Sequence, residues 1–181
     1  MIIMMGPVGV GKSVQGQLLA EKISYNWFSV GHFLRENASE FAQAKLAAGI
    51  LFSDQEVIDI IDSQIGETIT NETILDGFPR TLFQAQWLIN LHKNHKINIE
   101  AVIVLLADEN VLLGRLLSRG RQDDSEEVIK ERIKTYTTAT QPIIDWLKNQ
   151  DIYVGEIEGV GDLEEISQQI VKNIEKYAHK G

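Results

Sequence analysis

The chain has 181 residues, 44% hydrophobic and 24% charged, with a formal net charge of −9 at pH 7. That length and balance suit a folded domain with its own core. The acidic excess argues against a protein that coats nucleic acid or lies on a membrane, since both need a basic face. Cysteine is absent, which removes disulfides and thiolate metal sites, structural zinc among them. No apolar run reaches the length of a bilayer span, and "MIIMMGPVG" lacks the length and basic flank of a signal peptide. A cytoplasmic location is therefore expected, with no nucleic-acid or membrane partner.

In chain order, "MIIMM" (1–5) is a predicted strand, and "KSVQGQLLAEKI" carries a helical pattern directly after it. "NWFSV" (26–30) is a weaker strand. The stretch 31–66 reads as several short helices, an excursion from whatever sheet the strands build. "ETILD" (72–76) and "EAVIVLL" (100–106) are strands on either side of the helical "TLFQAQWLINLHKNH". "SEEVIKERIKTYTTAT" and "DLEEISQQIVKNIEKY" are helical, and "DIYVGEI" (151–157) between them is a strand. Nearly all-apolar strands alternating with helices predict an α/β fold whose parallel sheet is covered on both faces. Pro7, Pro79 and Pro142 all stand where a turn or a helix start is plausible.

Residues 6–13, "GPVGVGKS", fit G-x-x-x-x-G-K-[ST] between a strand and a helix. That is the setting of a P-loop, whose backbone N–H groups and helix N-terminus point at phosphate oxygens. Gly6, Gly9 and Gly11 let the backbone approach a phosphate, Lys12 reaches the β/γ-phosphates and Ser13 offers a hydroxyl to Mg²⁺. The motif serves kinases, GTPases and hydrolytic motors alike. No N-K-x-D guanine motif is present. "VIVLLADE" offers a strand ending in Asp108-Glu109, as a motor ATPase would, and "TILDGFPR" offers Asp76. Only one of these two ends is expected to lie beside the P-loop strand and face a metal.

"LDGFPRTLFQAQ" (75–86) resembles the adenylate kinase branch of the nucleoside monophosphate kinases, whose signature is D-G-[FY]-P-R-x-x-x-[NQ]. Asp76, Gly77, Phe78, Pro79, Arg80 and Gln84 fill its fixed positions. "FSVGHFLREN", "AAGILFSDQEV" and "RLLSRGRQDDSEEVIKERIKTYTTATQPI" resemble further family segments, so the likeness extends over essentially the whole chain. The resemblance implies a P-loop NTPase-type parallel sheet of about five strands flanked by helices, a helical monophosphate-binding insertion over 31–66 and a short lid over 119–124. The whole of 1–181 is expected to be one monomeric domain. The implied reaction is Mg²⁺-dependent phosphoryl transfer from ATP to a nucleoside monophosphate, ATP + AMP ⇌ 2 ADP. A kinase preferring another monophosphate, a catalytically weakened nucleotide binder and a hydrolytic ATPase are the alternatives.

Carried over by position, the resemblance places Gly9, Val10, Gly11, Lys12 and Ser13 on the ATP phosphates, joined by Arg115 and Arg119. Arg35, Gly77, Arg80, Arg121 and Arg132 fall on the monophosphate side, with Lys12, Arg80, Arg119, Arg121 and Arg132 as catalytic groups. Gln84 reads the acceptor base, framed by Val30 and Phe52, where the family usually has other residues. Asp76 holds Mg²⁺ through water, and His32 stands where the family usually has Asp. The Phe78–Pro79 bond is commonly cis in the family. Only Gly120 separates Arg119 from Arg121, a lid reduced to almost nothing, and Asp123 and Asp124 follow it, either to pair with its arginines when open or to cap the helix beginning near Ser125. All six arginines, 35, 80, 115, 119, 121 and 132, occupy positions where the family sets arginine on phosphate. Guanidinium suits that task, because its planar fork makes two parallel bonds to an oxyanion and stays charged.

Overall fold

The structure is a computed structural model and describes residues 1–37, 52–119 and 125–178. Its strands are β1 (Ile2–Met5), β2 (Asn26–Ser29), β3 (Thr73–Asp76), β4 (Ala101–Leu106) and β5 (Val154–Glu158). Its helices are α1 (Lys12–Ile23), α2 (Val30–Asn37), α3 (Asp54–Gln64), α4 (Leu82–Lys93), α5 (Glu109–Arg119), α6 (Glu126–Thr135), α7 (Gln141–Leu147) and α8 (Leu163–Ala178). All five strands pair in parallel, in the order β2-β3-β1-β4-β5.

Alternation along the strands sorts the core into two layers. Ile3, Met5, Leu75, Val102 and Val104 face one side, against Ile58 and Ile61 of α3, Leu88 of α4 and Ile144 of α7. Ile2, Met4, Ile74, Ile103 and Leu105 face the other, against Leu19 of α1, Leu112 and Leu116 of α5, Ile129 of α6 and Ile170 of α8. The inner strands β1 and β4 are covered on both faces, which is why they read as unbroken apolar runs. All strands run the same way, so their carboxyl ends share one edge. In such sheets that edge is where ligands bind.

Three expectations need correction. The last strand begins at Val154 rather than at 151, because the pairing register starts with Val102 opposite Val154 and the preceding residues form a bend. The helix expected to run from 125 to 140 is α-helical only to Thr135 and then makes one π-helical turn, Tyr136–Thr140, before α7. Pro142 has no N–H to donate to Thr138, and the Thr137 and Thr138 hydroxyls bond back to the carbonyls of Ile133 and Lys134 at 3.1 and 2.9 Å. Both effects loosen the regular ladder there. Finally, both acidic strand ends flank the P-loop strand, since β3 and β4 each pair with β1.

Ser125 caps α6, its Oγ accepting the N–H of Val128 at 3.3 Å. Asp123 and Asp124, the cap candidates read from the sequence, lie outside the described residues, as do Gly120 and Arg121. On α5, Gly114 is exposed, has nothing within 4 Å of the point a Cβ would occupy, and carries no positive φ. Gly114→Ala is therefore expected to stabilise the protein by about 0.5–1 kcal/mol by restricting the unfolded chain. Thermal unfolding should show a rise of roughly 1–4 °C; an unchanged or lowered Tm would mean that α5 uses the glycine.

Candidate active site

The loop between β1 and α1 turns on glycines at positive φ, two of which matter most. Gly9 (φ 85°) lies so close to α5 that a Cβ would meet Leu116 Cγ at 2.8 Å. Gly11 (φ 105°) precedes α1 with open space where a Cβ would stand, so its backbone remains approachable. No side chain caps α1, whose first N–H groups are left directed at the loop. Lys12 Nζ donates to the carbonyls of Gly6 and Pro7, both at 2.7 Å. Its ammonium end is crowded by protein, and burial pushes its pKa down from 10.5 to about 8. The Asp76 carboxylate works in the opposite sense, and the Arg80 charge lowers it further.

Asp76 ends β3 opposite Met4 of β1 and is 3% exposed. Its Oδ2 accepts the Ser13 hydroxyl at 2.7 Å. This bond aims the Ser13 proton at the carboxylate and leaves the hydroxyl lone pairs for a cation. Two hard oxygen donors next to a phosphate loop fit Mg²⁺, which keeps several waters and takes few protein ligands. Among the described residues no group of three His, Asp or Glu side chains is placed to hold a metal by itself. Asp108 and Glu109, the rival strand end, line a cavity of about 390 Å³ together with Pro7, Tyr136 and Glu158. A hollow with that many carboxylates repels a polyphosphate. Glu109 instead opens α5, where an acid suits the helix dipole.

Beyond Asp76 the chain turns through Gly77 (φ 84°), and the Phe78–Pro79 bond is cis. Arg80 is exposed at this edge, its Nε donating to the Gly77 carbonyl at 2.8 Å. Thr81 caps α4 through the N–H of Gln84. The Gln84 side chain is buried and engaged at both ends, with Arg80 N–H on Oε1 and Asp54 on Nε2, each at 2.8 Å.

Arg115 takes a place the sequence reading did not foresee. Its Nη1 donates to the carbonyls of Val10 in the P-loop at 3.2 Å and of Gly159 after β5 at 3.0 Å. It ties the phosphate loop to the neighbouring β5–α8 connection. Arg119 is exposed at the end of α5, and Arg132 is half-buried on α6. Arg35 belongs to α2, but its side chain lies outside the described residues, as does all of Arg121. Val30 is a core residue, 3% exposed, and Phe52 is partly buried. His32 pairs with Glu36 at 3.1 Å and lies beside the Trp27 ring at 6.1 Å between centroids. Asp54 and Gly159 were not singled out in the sequence. The Ser53-x-x-Glu56 capping box around Asp54 was legible there, whereas the contact of Gly159 with Arg115 had no local signal.

Comparison with known proteins matches the family model "Adenylate kinase" to residues 4–152. The adenylate kinase of Leptospira biflexa serovar Patoc is 40% identical over 184 aligned positions, covering 96% of this chain and 98% of the relative. That of Synechococcus sp. (strain CC9902) is 36% identical over 177, covering 94% and 96%. That of Prochlorococcus marinus (strain MIT 9211) is 37% identical over 175, covering 93% and 94%. The chain belongs to the adenylate kinase family. It is a nucleoside monophosphate kinase, a phosphotransferase, and its parallel sheet with the loop at the end of β1 is the P-loop fold of that family. No helix among the described residues is long and apolar enough to cross a membrane.

In this kinase the depressed Lys12 pKa has a definite sign. Above 10.5 the lysine is neutral in folded and unfolded chains alike, and stability is lost as pH falls towards about 8, where the folded protein must accept a buried charge. A bound polyphosphate relieves that burden. kcat/KM for ATP, which reports the free enzyme, should therefore fall as pH rises through about 8. A profile flat to well above that value would mean that the Lys12 charge is not needed for capture.

Proposed function

We propose that the enzyme catalyses the Mg²⁺-dependent reaction ATP + AMP ⇌ 2 ADP. The observation that carries this reading is the Ser13 hydroxyl on Asp76, which joins the P-loop to the strand end that leads into Arg80. The same-family relatives named adenylate kinase support the choice of substrates. An oxygen of the acceptor phosphate attacks the γ-phosphorus of ATP. The bond from that phosphorus to the β,γ-bridging oxygen breaks, and its electron pair leaves with ADP. The attacking oxygen is already anionic near neutral pH, so no general base is required.

Catalysis then rests on positioning and on positive charge where the transferring group spreads its negative charge. Gly9, Val10, Gly11 and Lys12 hold the ATP phosphates, and Arg119 completes that side. Arg115 acts on it through the backbone of the loop it grips. Arg80, Arg35, Arg121 and Arg132 hold the acceptor phosphate and the group in flight, and Gly77 gives Arg80 its turn. Gln84 reads the adenine, within walls to which Val30 and Phe52 contribute. Bound with ATP, Mg²⁺ would supply further neutralisation of the β,γ-phosphates, held by the Ser13 hydroxyl and, through water, by Asp76. Transfer rather than hydrolysis requires water to be kept out, which assigns closing roles to the 31–66 segment and the 119–124 lid. A cytoplasmic monomer needing no nucleic acid or membrane completes the reading.

The test is ADP formation from ATP with AMP, CMP, UMP or GMP as acceptor. AMP should be used best; a clear preference for another monophosphate would replace the substrate, and binding without turnover would replace the activity. Arg80→Ala should lower kcat/KM by about 10²–10³-fold, the scale of removing one transition-state charge partner. Wild-type turnover in that variant would remove Arg80 from the chemistry.

A further inference from the structure

Gln84 is 4% exposed, and its carboxamide is oriented by two partners that each work in one direction only. Its Oε1 accepts the backbone N–H of Arg80, and its Nε2 donates to Asp54 Oδ1. A backbone N–H cannot accept, and an ionised carboxylate cannot donate. Turning the amide over would set donor against donor at Arg80 and acceptor against acceptor at Asp54. The orientation therefore follows from the chemistry of the partners, where an amide is otherwise ambiguous.

We infer that Asp54 is a positioning residue that locks the Gln84 amide in one orientation, so that acceptor bases are sorted by the order of donor and acceptor along their edge. The inference rests on the proposed reading of Gln84 as the group that meets the acceptor base. Nε2 keeps a second N–H and Oε1 a second lone pair, which are what a base can use. Adenine and cytosine present an exocyclic amino donor beside a ring-nitrogen acceptor. Guanine and uracil present an exocyclic carbonyl beside a ring N–H, the reverse order. An amide free to turn would serve both classes. A locked amide serves one and meets the other with like against like, the repulsive element that discrimination needs.

The helix start that carries Asp54 is held in place. Asp54 opens α3, behind a capping box in which Ser53 N–H donates to Glu56 Oε2 at 2.8 Å and Glu56 N–H to Ser53 Oγ at 3.3 Å. Ile58 and Ile61 of the same helix are in the core, so the start of α3 is anchored from both sides. The lock thus joins two rigid helices, α3 and α4, through one buried amide.

Asp54→Asn tests it with little change of shape, because an asparagine can turn to donate and so removes one of the two groups that oppose a flipped Gln84. The quotient of kcat/KM for GMP or UMP over that for AMP should rise about tenfold, the ratio equivalent to about 1.4 kcal/mol. Asp54→Ala should move it in the same direction. In the ligand-free protein, one Gln84 side-chain amide proton should be protected from exchange in the wild type and unprotected in Asp54→Ala. A quotient unmoved in both variants, or equal losses for every acceptor, would overturn the lock and leave Asp54 a structural residue. An unprotected Gln84 amide in the wild type would do the same. A wild type that does not use AMP would overturn the functional reading instead, and the two failures are separately visible.

Discussion

A partly buried ammonium held by two carbonyls is the contact on which the rest of this structure depends. Lys12 bonds to the carbonyls of Gly6 and Pro7, and so closes the loop on itself. Burying a cation with only neutral acceptors is costly, and the depressed pKa of the lysine expresses that cost. The loop is consequently preorganised for an anion: the free N–H groups of α1, the charge of Lys12 and the approachable backbone of Gly11 all await negative charge.

The sheet delivers the remaining parts to this loop. Because β3 pairs directly with β1, Asp76 arrives beside Ser13, and the tight turn through Gly77 sets Arg80 at the same edge. On the other side β4 leads into α5, whose Leu116 packs against Gly9 and whose Arg115 holds the carbonyl of Val10. The guanidinium groups thus divide their work. Arg115 shapes the loop through its backbone, whereas Arg80 stands exposed with a charge that Lys12 senses.

Much of this was legible in the residues because the features are local. A P-loop is a run of eight, D-G-F-P-R a run of five, and a buried parallel strand announces itself as an apolar run. What escaped depends on register and on contacts between distant segments. Asp76 and Asp108-Glu109 look alike as strand ends, and both strands adjoin β1; only the placement of side chains separates the Ser13 bond from the acid-lined hollow. The break of the helix at Tyr136 follows from Pro142 and the back-bonding threonines, which a 3.6-residue pattern does not register. Gln84 stood out by its place in the motif, but its partner Asp54 lies thirty residues earlier on another helix.

The central claim is that the P-loop and the arginine-bearing edge together transfer the γ-phosphoryl group to a second nucleotide. Following the label from [γ-³²P]ATP by chromatography tests it directly. The account predicts that label passes into the β-position of newly formed ADP only when AMP is present, with little inorganic phosphate. Release of labelled phosphate at the same rate with and without AMP would contradict it.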